Sequence, residues 1–104
     1  MSDEKAVSVV FSTCPPEQAE RIARYLVKEG RAACVNIIPQ LTSIYRWEGK
    51  INKDSESLLV IKCARSAVDE LTAAVKREHP YDVPEVIALP VEGGNVEYLR
   101  WVVG

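Results

Sequence analysis

Hydrophobic positions along this chain change their spacing several times, and each change marks an element. AVSVVF, residues 6 to 11, is β-branched and aromatic and reads as a strand buried on at least one face. STCPP ends it. Pro15 and Pro16 lack amide donors, which suits the first turn of a helix with Thr13 or Cys14 near its cap. Ala19, Ile22, Ala23, Leu26 and Val27 then recur at i, i+3, i+4, i+7 and i+8, the stripe of a helix lying on a sheet. Gly30 stops that helix by taking a left-handed conformation.

Residues 32 to 64 lose the helical period and carry a turn-like EGK near their middle, so they read as two long antiparallel strands. Pro39 forces an edge position or a bulge. Ser66 with Asp69 resembles a helix cap and its returning acid, and Val68, Leu71 and Val75 mark a second amphipathic helix that Pro80 ends. VIALP, residues 86 to 90, is a short fourth strand. The glycines at 93 and 94 break it, and NVEYLRWVV forms a terminal helix capped by Asn95. The order β-α-β-β-α-β plus a helix predicts an α+β, ferredoxin-like split βαβ fold. Its antiparallel sheet carries both main helices on one face.

At 104 residues the chain is one domain, 1 to 104, near the size where an oligomer interface adds useful burial. A strand of about 14 residues spans roughly 46 Å, against a radius of gyration near 13 Å for a domain of this size, so the central hairpin should overhang the body. An overhanging ribbon bearing Ile44, Tyr45 and Trp47 exposes apolar surface and unpaired backbone groups, and pairing with another chain removes both.

With 47% apolar and 27% charged residues, the composition is that of a soluble globular protein, and no run approaches the roughly 18 apolar residues of a membrane span. MSDEKAVSVV lacks the pattern of a signal peptide, so the expected location is cytoplasmic. A net charge of −2, with both signs mixed along the chain, gives no global reason to expect nucleic-acid binding. Cys14, Cys34 and Cys63 are odd in number and widely spaced, which fits neither a disulfide framework nor a paired-cysteine zinc site. Cys34 and Cys63 lie in apolar runs and read as buried small hydrophobes, whereas Cys14 sits at a boundary.

SIYRWEGKI, with Tyr45, Trp47, Gly49 and Ile51, is followed by HPYDVPEV; with AACVNIIP and the closing EYLRWV, these segments resemble the CutA divalent-cation-tolerance family from Val7 to Val103. The resemblance implies a homotrimer built through long intersubunit β-ribbons, a cytoplasmic role in tolerance of divalent metals, and copper binding through cysteine and histidine. It also implies a likeness to the trimeric PII signalling proteins, hence an alternative as a small-molecule sensor using clefts between subunits.

The metal candidates are His79, Cys14 and Glu78. Neutral imidazole binds copper or zinc near neutral pH, and the competing role for His79 is a helix-end residue packed beside Pro80. Members of the family proposed to bind copper often carry two adjacent histidines before the proline; here Glu78 precedes His79, a harder donor that weakens copper(I) affinity. Ser12 occupies the place of the family's cysteine, and Cys14 lies two positions later. There it could approach a helix N-terminus that favours thiolate. No cofactor is expected to be required for folding.

Tyr45 and Trp47 share one strand face, either as interface packing or as the wall of a ligand cleft, with Tyr81 and Glu85 as further lining. Glu85 has a structural alternative as an acceptor for backbone amides. An enzyme is not expected, since no catalytic or phosphate-binding signature occurs and one histidine leaves few acid-base arrangements. Acylphosphatases share the topology, but STCPPE is neither glycine-rich nor basic; RNA-binding domains share it too, but LLVIKC lacks their stacking aromatics.

Overall fold

The computed structural model describes residues 6–104; the reading of the N-terminal segment as lacking a signal peptide falls partly on residues outside these. Four strands, β1 (Val7–Cys14), β2 (Cys34–Trp47), β3 (Lys50–Ala64) and β4 (Ile87–Pro90), form one antiparallel sheet in the order β2-β3-β1-β4. Three helices complete it: α1 (Pro16–Lys28), α2 (Val68–Glu78) and α3 (Val96–Val103). This is the predicted split βαβ fold, and β1 runs three residues beyond the expected Phe11.

Strand alternation sorts the core. Val10, Ser12 and Cys14 of β1 and Leu59, Ile61 and Cys63 of β3 are buried, and most of them join Ile22 and Leu26 of α1 and Leu71, Ala74 and Val75 of α2 in one cluster. Each fully buried leucine or isoleucine there contributes roughly 1.5–3 kcal/mol of transfer free energy. Val7, of opposite parity on β1, packs instead with Leu99 and Val102 of α3. The opposite sheet face is otherwise left half open: Val9, Phe11, Leu58 and Val60 are only partly buried, and Ile87 and Leu89 of β4 are exposed.

Several local expectations hold in detail. Asn95 caps α3, its Oδ1 accepting the Glu97 N–H at 3.0 Å. The β2–β3 pairing shifts register between Ile38 and Leu41, so Pro39 lies in a bulge on an edge strand, and Gln40 absorbs the kink at φ 61°. Trp47 pairs with Lys50 across a two-residue turn in which Glu48 and Gly49 both take positive φ, 51° and 78°. That turn matches the right-handed twist of the strands it joins.

Three expectations need correction. Ser66 does not cap α2: Arg65 N–H bonds to the Ala6 carbonyl at 2.7 Å, a 3-10 turn follows over Arg65–Ala67, and Ala67 is the cap without any side-chain bond. Pro15 caps α1, and Cys14, the last residue of β1, sits beside that cap as expected. Val27 is 45% exposed because the stripe on α1 turns past the sheet after Leu26. Cys34 is only half-buried, since it opens an edge strand.

β3 pairs with β1 only from Ser57 onward, so residues 41–47 and 50–56 pair only with each other and project as a two-stranded ribbon. The molecule is accordingly long, 48 × 25 × 22 Å, with a radius of gyration of 14.4 Å. Ile44 and Ile51 are 69% and 66% exposed on that ribbon, which is the overhang its length foretold.

Candidate functional site

The segment after α2 reaches around the end of β1 to the root of the ribbon. Pro80 forces His79 out of the helix, to φ −82° and ψ 141°. The imidazole is thereby turned inward and buried. Pairing of β4 with β1 stops at Phe11 opposite Ile87, and past that point His79 Nε2 lies 2.8 Å from the Thr13 carbonyl oxygen. Tyr81 N–H donates to Nδ1 at 3.1 Å. A carbonyl only accepts and an amide N–H only donates, so these partners place the ring proton on Nε2 and the lone pair on Nδ1. The lone histidine is a bracket between the end of β1 and the corner after α2.

The other two metal candidates are committed elsewhere. Arg21 donates to Glu78 Oε1 at 3.0 Å and to the Glu78 carbonyl at 2.7 Å, tying α1 to the C-terminus of α2. Cys14 is fully buried, and its thiol is pushed up to about 11, first by burial and then by the charges of Glu56 and Glu17. The thiolate expected at a helix N-terminus is thus disfavoured, because Cys14 faces the core two residues before the helix begins. Ser12, in the place of the family's cysteine, is buried with an unpartnered hydroxyl. Among the described residues no group of three or more His, Cys, Asp or Glu is arranged to hold a metal ion. A neutral thiol, a doubly bonded imidazole and an arginine-bound carboxylate do not fit a copper centre.

The ligand candidates fare differently. Tyr81 stacks obliquely on His79, ring centroids 4.7 Å apart, and its hydroxyl donates to Glu56 Oε2 at 3.0 Å. Glu56 is only 5% exposed. Burial, the Glu56 hydrogen bond and the nearby Asp54 and Tyr45 push the Tyr81 phenol up to about 12. On the ribbon the Tyr45 hydroxyl donates to Asp54. Glu85 is raised above the usual carboxylate range, first by desolvation and then by Glu56. Tyr45, Tyr81 and Glu85 therefore converge on an acidic, aromatic surface at the ribbon root. Trp47, beside the turn at the far end and 53% exposed, stands apart from it. Sequence reading missed Glu56 and Asp54. Their spacing of two within β3 was the available signal, since it puts both on one face.

Residues 8–104 match the model of the CutA1 divalent ion tolerance protein family. The chain belongs to that family. Protein CutA of Homo sapiens is 58% identical over 98 residues, covering 93% of this chain and 55% of the relative. The divalent-cation tolerance protein CutA of Thermus thermophilus is 53% identical over 95 residues, 90% of this chain and 92% of the relative. The chain spans about half the length of the mammalian relatives it matches. Among solved structures, Cut A1 from Thermus thermophilus superposes with a TM-score of 0.91 at 51% identity, covering 93% of this chain and 95% of that one. The PII-like protein CutA from Nostoc superposes at 0.88 with 35% identity, 92% and 93% covered. Relatives are described as chloroplastic in Oryza sativa and periplasmic in Archaeoglobus fulgidus. No helix among the described residues is long and apolar enough to cross a membrane.

Proposed function

We propose that this chain is a non-enzymatic, cytoplasmic homotrimer of the divalent-cation response that works as a PII-like sensor, binding a small organic ligand in clefts between subunits. The observation that carries this reading is the convergence of Tyr45, Tyr81 and Glu85 with the buried Glu56 at the ribbon root. The PII-like description of the Nostoc relative supports it. Polar groups held by packing beside a tyrosine face are the ingredients of a ligand wall, and a neighbouring subunit would supply the opposite wall.

A thermal-shift screen tests it, with metal salts and common organic metabolites run side by side on reduced protein. A metabolite raises the melting temperature by mass action in the wild type and not in Tyr81→Phe/Glu85→Gln. Stabilisation by metals alone, unchanged in that variant, rejects the reading.

The family's description as a divalent ion tolerance protein raises a second reading, direct binding of a divalent cation at His79 with Cys14 and Glu78, although all three side chains are committed elsewhere in the fold. It requires the imidazole to release Thr13 or Tyr81. Calorimetry of the reduced protein decides it: equal metal affinity before and after His79→Ala removes this site.

A further inference from the structure

The corner that bears Tyr81 and Glu85 also walls a cavity of about 270 Å³ that opens to solvent. Thr72 and Lys76, one turn apart on the same face of α2, form one side, and Asp82, Val83, Pro84 and Val86 form the other. Val86 packs on the main core cluster, and Pro80 and Pro84 each keep the residue before them out of helix, so this wall is set before anything binds. Lys76 and Asp82 both line the cavity, yet among the described residues neither forms an ion pair or a side-chain hydrogen bond, with each other or with a third group. The Thr72 hydroxyl donates to the Val68 carbonyl at 2.8 Å, so towards the cavity its oxygen can only accept.

We infer that this cavity binds a small zwitterion, an aliphatic α-amino acid, with its carboxylate on Lys76, its ammonium between Asp82 and Thr72, and its side chain against Val83, Pro84 and Val86. The donors and acceptors allow one polarity only. The Lys76 ammonium offers donors alone, and the Asp82 carboxylate and the committed Thr72 hydroxyl offer acceptors alone, so an occupant that satisfies the lining carries a group of each kind. An inorganic anion would suit Lys76 and be repelled by Asp82, and a bare cation would meet the reverse. A zwitterion suits both, because it bridges opposite charges that do not reach each other, and charge-assisted bonds at its two ends fix its orientation. Val83 is 69% exposed, so a hydrocarbon side chain laid over it removes apolar surface from water. Every lining residue belongs to one chain, so this site goes beyond the intersubunit reading above and does not depend on it.

Isothermal titration calorimetry with L-leucine tests it, alongside N-acetyl-leucine, which lacks the ammonium, and leucine methyl ester, which lacks the carboxylate. Wild type binds L-leucine, and blocking either end weakens binding about tenfold or more. Lys76→Met and Asp82→Asn each weaken L-leucine binding by a similar factor; both positions are exposed, and circular dichroism confirms that the variants fold. Lys76→Met no longer distinguishes leucine from its methyl ester, and Asp82→Asn discriminates less against N-acetyl-leucine. Tyr81→Phe/Glu85→Gln retains L-leucine binding, which separates this cavity from the ribbon root. A wild type that takes up no L-leucine overturns the inference, as does one that binds N-acetyl-leucine or the ester equally well. Binding unchanged by Lys76→Met and Asp82→Asn but lost in Tyr81→Phe/Glu85→Gln assigns the ligand to the ribbon root, which overturns this cavity and leaves the sensor reading standing.

Discussion

His79→Ala separates a bracket from a ligand. The substitution deletes the partners of the Thr13 carbonyl and the Tyr81 N–H, at 2.8 and 3.1 Å, from a residue that is only 7% exposed. Each hydrogen bond contributes about 0.5–1.5 kcal/mol net, and a backbone group left buried without a partner costs about 1–3 kcal/mol. Losing the ring contact with Tyr81 adds about 0.5–1.5 kcal/mol. Partial entry of water offsets some of this, so the expected loss is about 2–4 kcal/mol. Urea unfolding in the presence of a strong chelator measures it, because any metal contribution is absent under those conditions. His79→Asn supplies the internal control: its side-chain oxygen can accept the N–H two residues on, as Asx turns do, but is too short to reach Thr13. Its stability should fall about midway. A His79→Ala protein as stable as wild type under chelation, losing only a metal-dependent increment, would show that the bracket carries no weight.

Leu26→Ala opens the junction of α1 with the sheet at a fully buried site and should cost about 2–5 kcal/mol by urea denaturation. Asn95→Ala removes the cap of α3 and should cost about 1 kcal/mol, with earlier amide exchange confined to residues 96–103. Tyr81 titrates at about 12 in the folded chain against an ordinary 10.0, so the folded state holds the phenolic proton more tightly than the unfolded state. Its contribution is complete below pH 10 and is lost as pH rises through 12. Tyr81→Phe should abolish the latest-titrating step in tyrosinate absorbance and flatten the fall of stability across that window. Gly49→Val places a β-branched residue at φ 78° in the ribbon turn and should destabilise the hairpin by about 1–2 kcal/mol, seen as loss of protection in residues 41–56 alone.

Local chemistry in the sequence was enough to determine the order of elements, the overhanging hairpin, the bulge at Pro39, the cap at Asn95 and the stop at Pro80. Each follows from periods of two or 3.6 residues, or from a side chain acting on its own backbone. The family was also legible, because its segments are short and contiguous. The environments of the chemical groups were not. Cys14, Glu78 and His79 could be named from type and spacing, but their availability depended on contacts across the fold. β1 continues three residues past Phe11 and turns Cys14 into the core, Arg21 on another helix takes Glu78, and a carbonyl 66 residues away takes the His79 ring. Glu56 likewise gains its meaning only when a corner 25 residues on delivers the Tyr81 hydroxyl to it. Periodicity fixes which way a side chain points; burial, tautomer and proton affinity are set by whatever the packed chain brings against it.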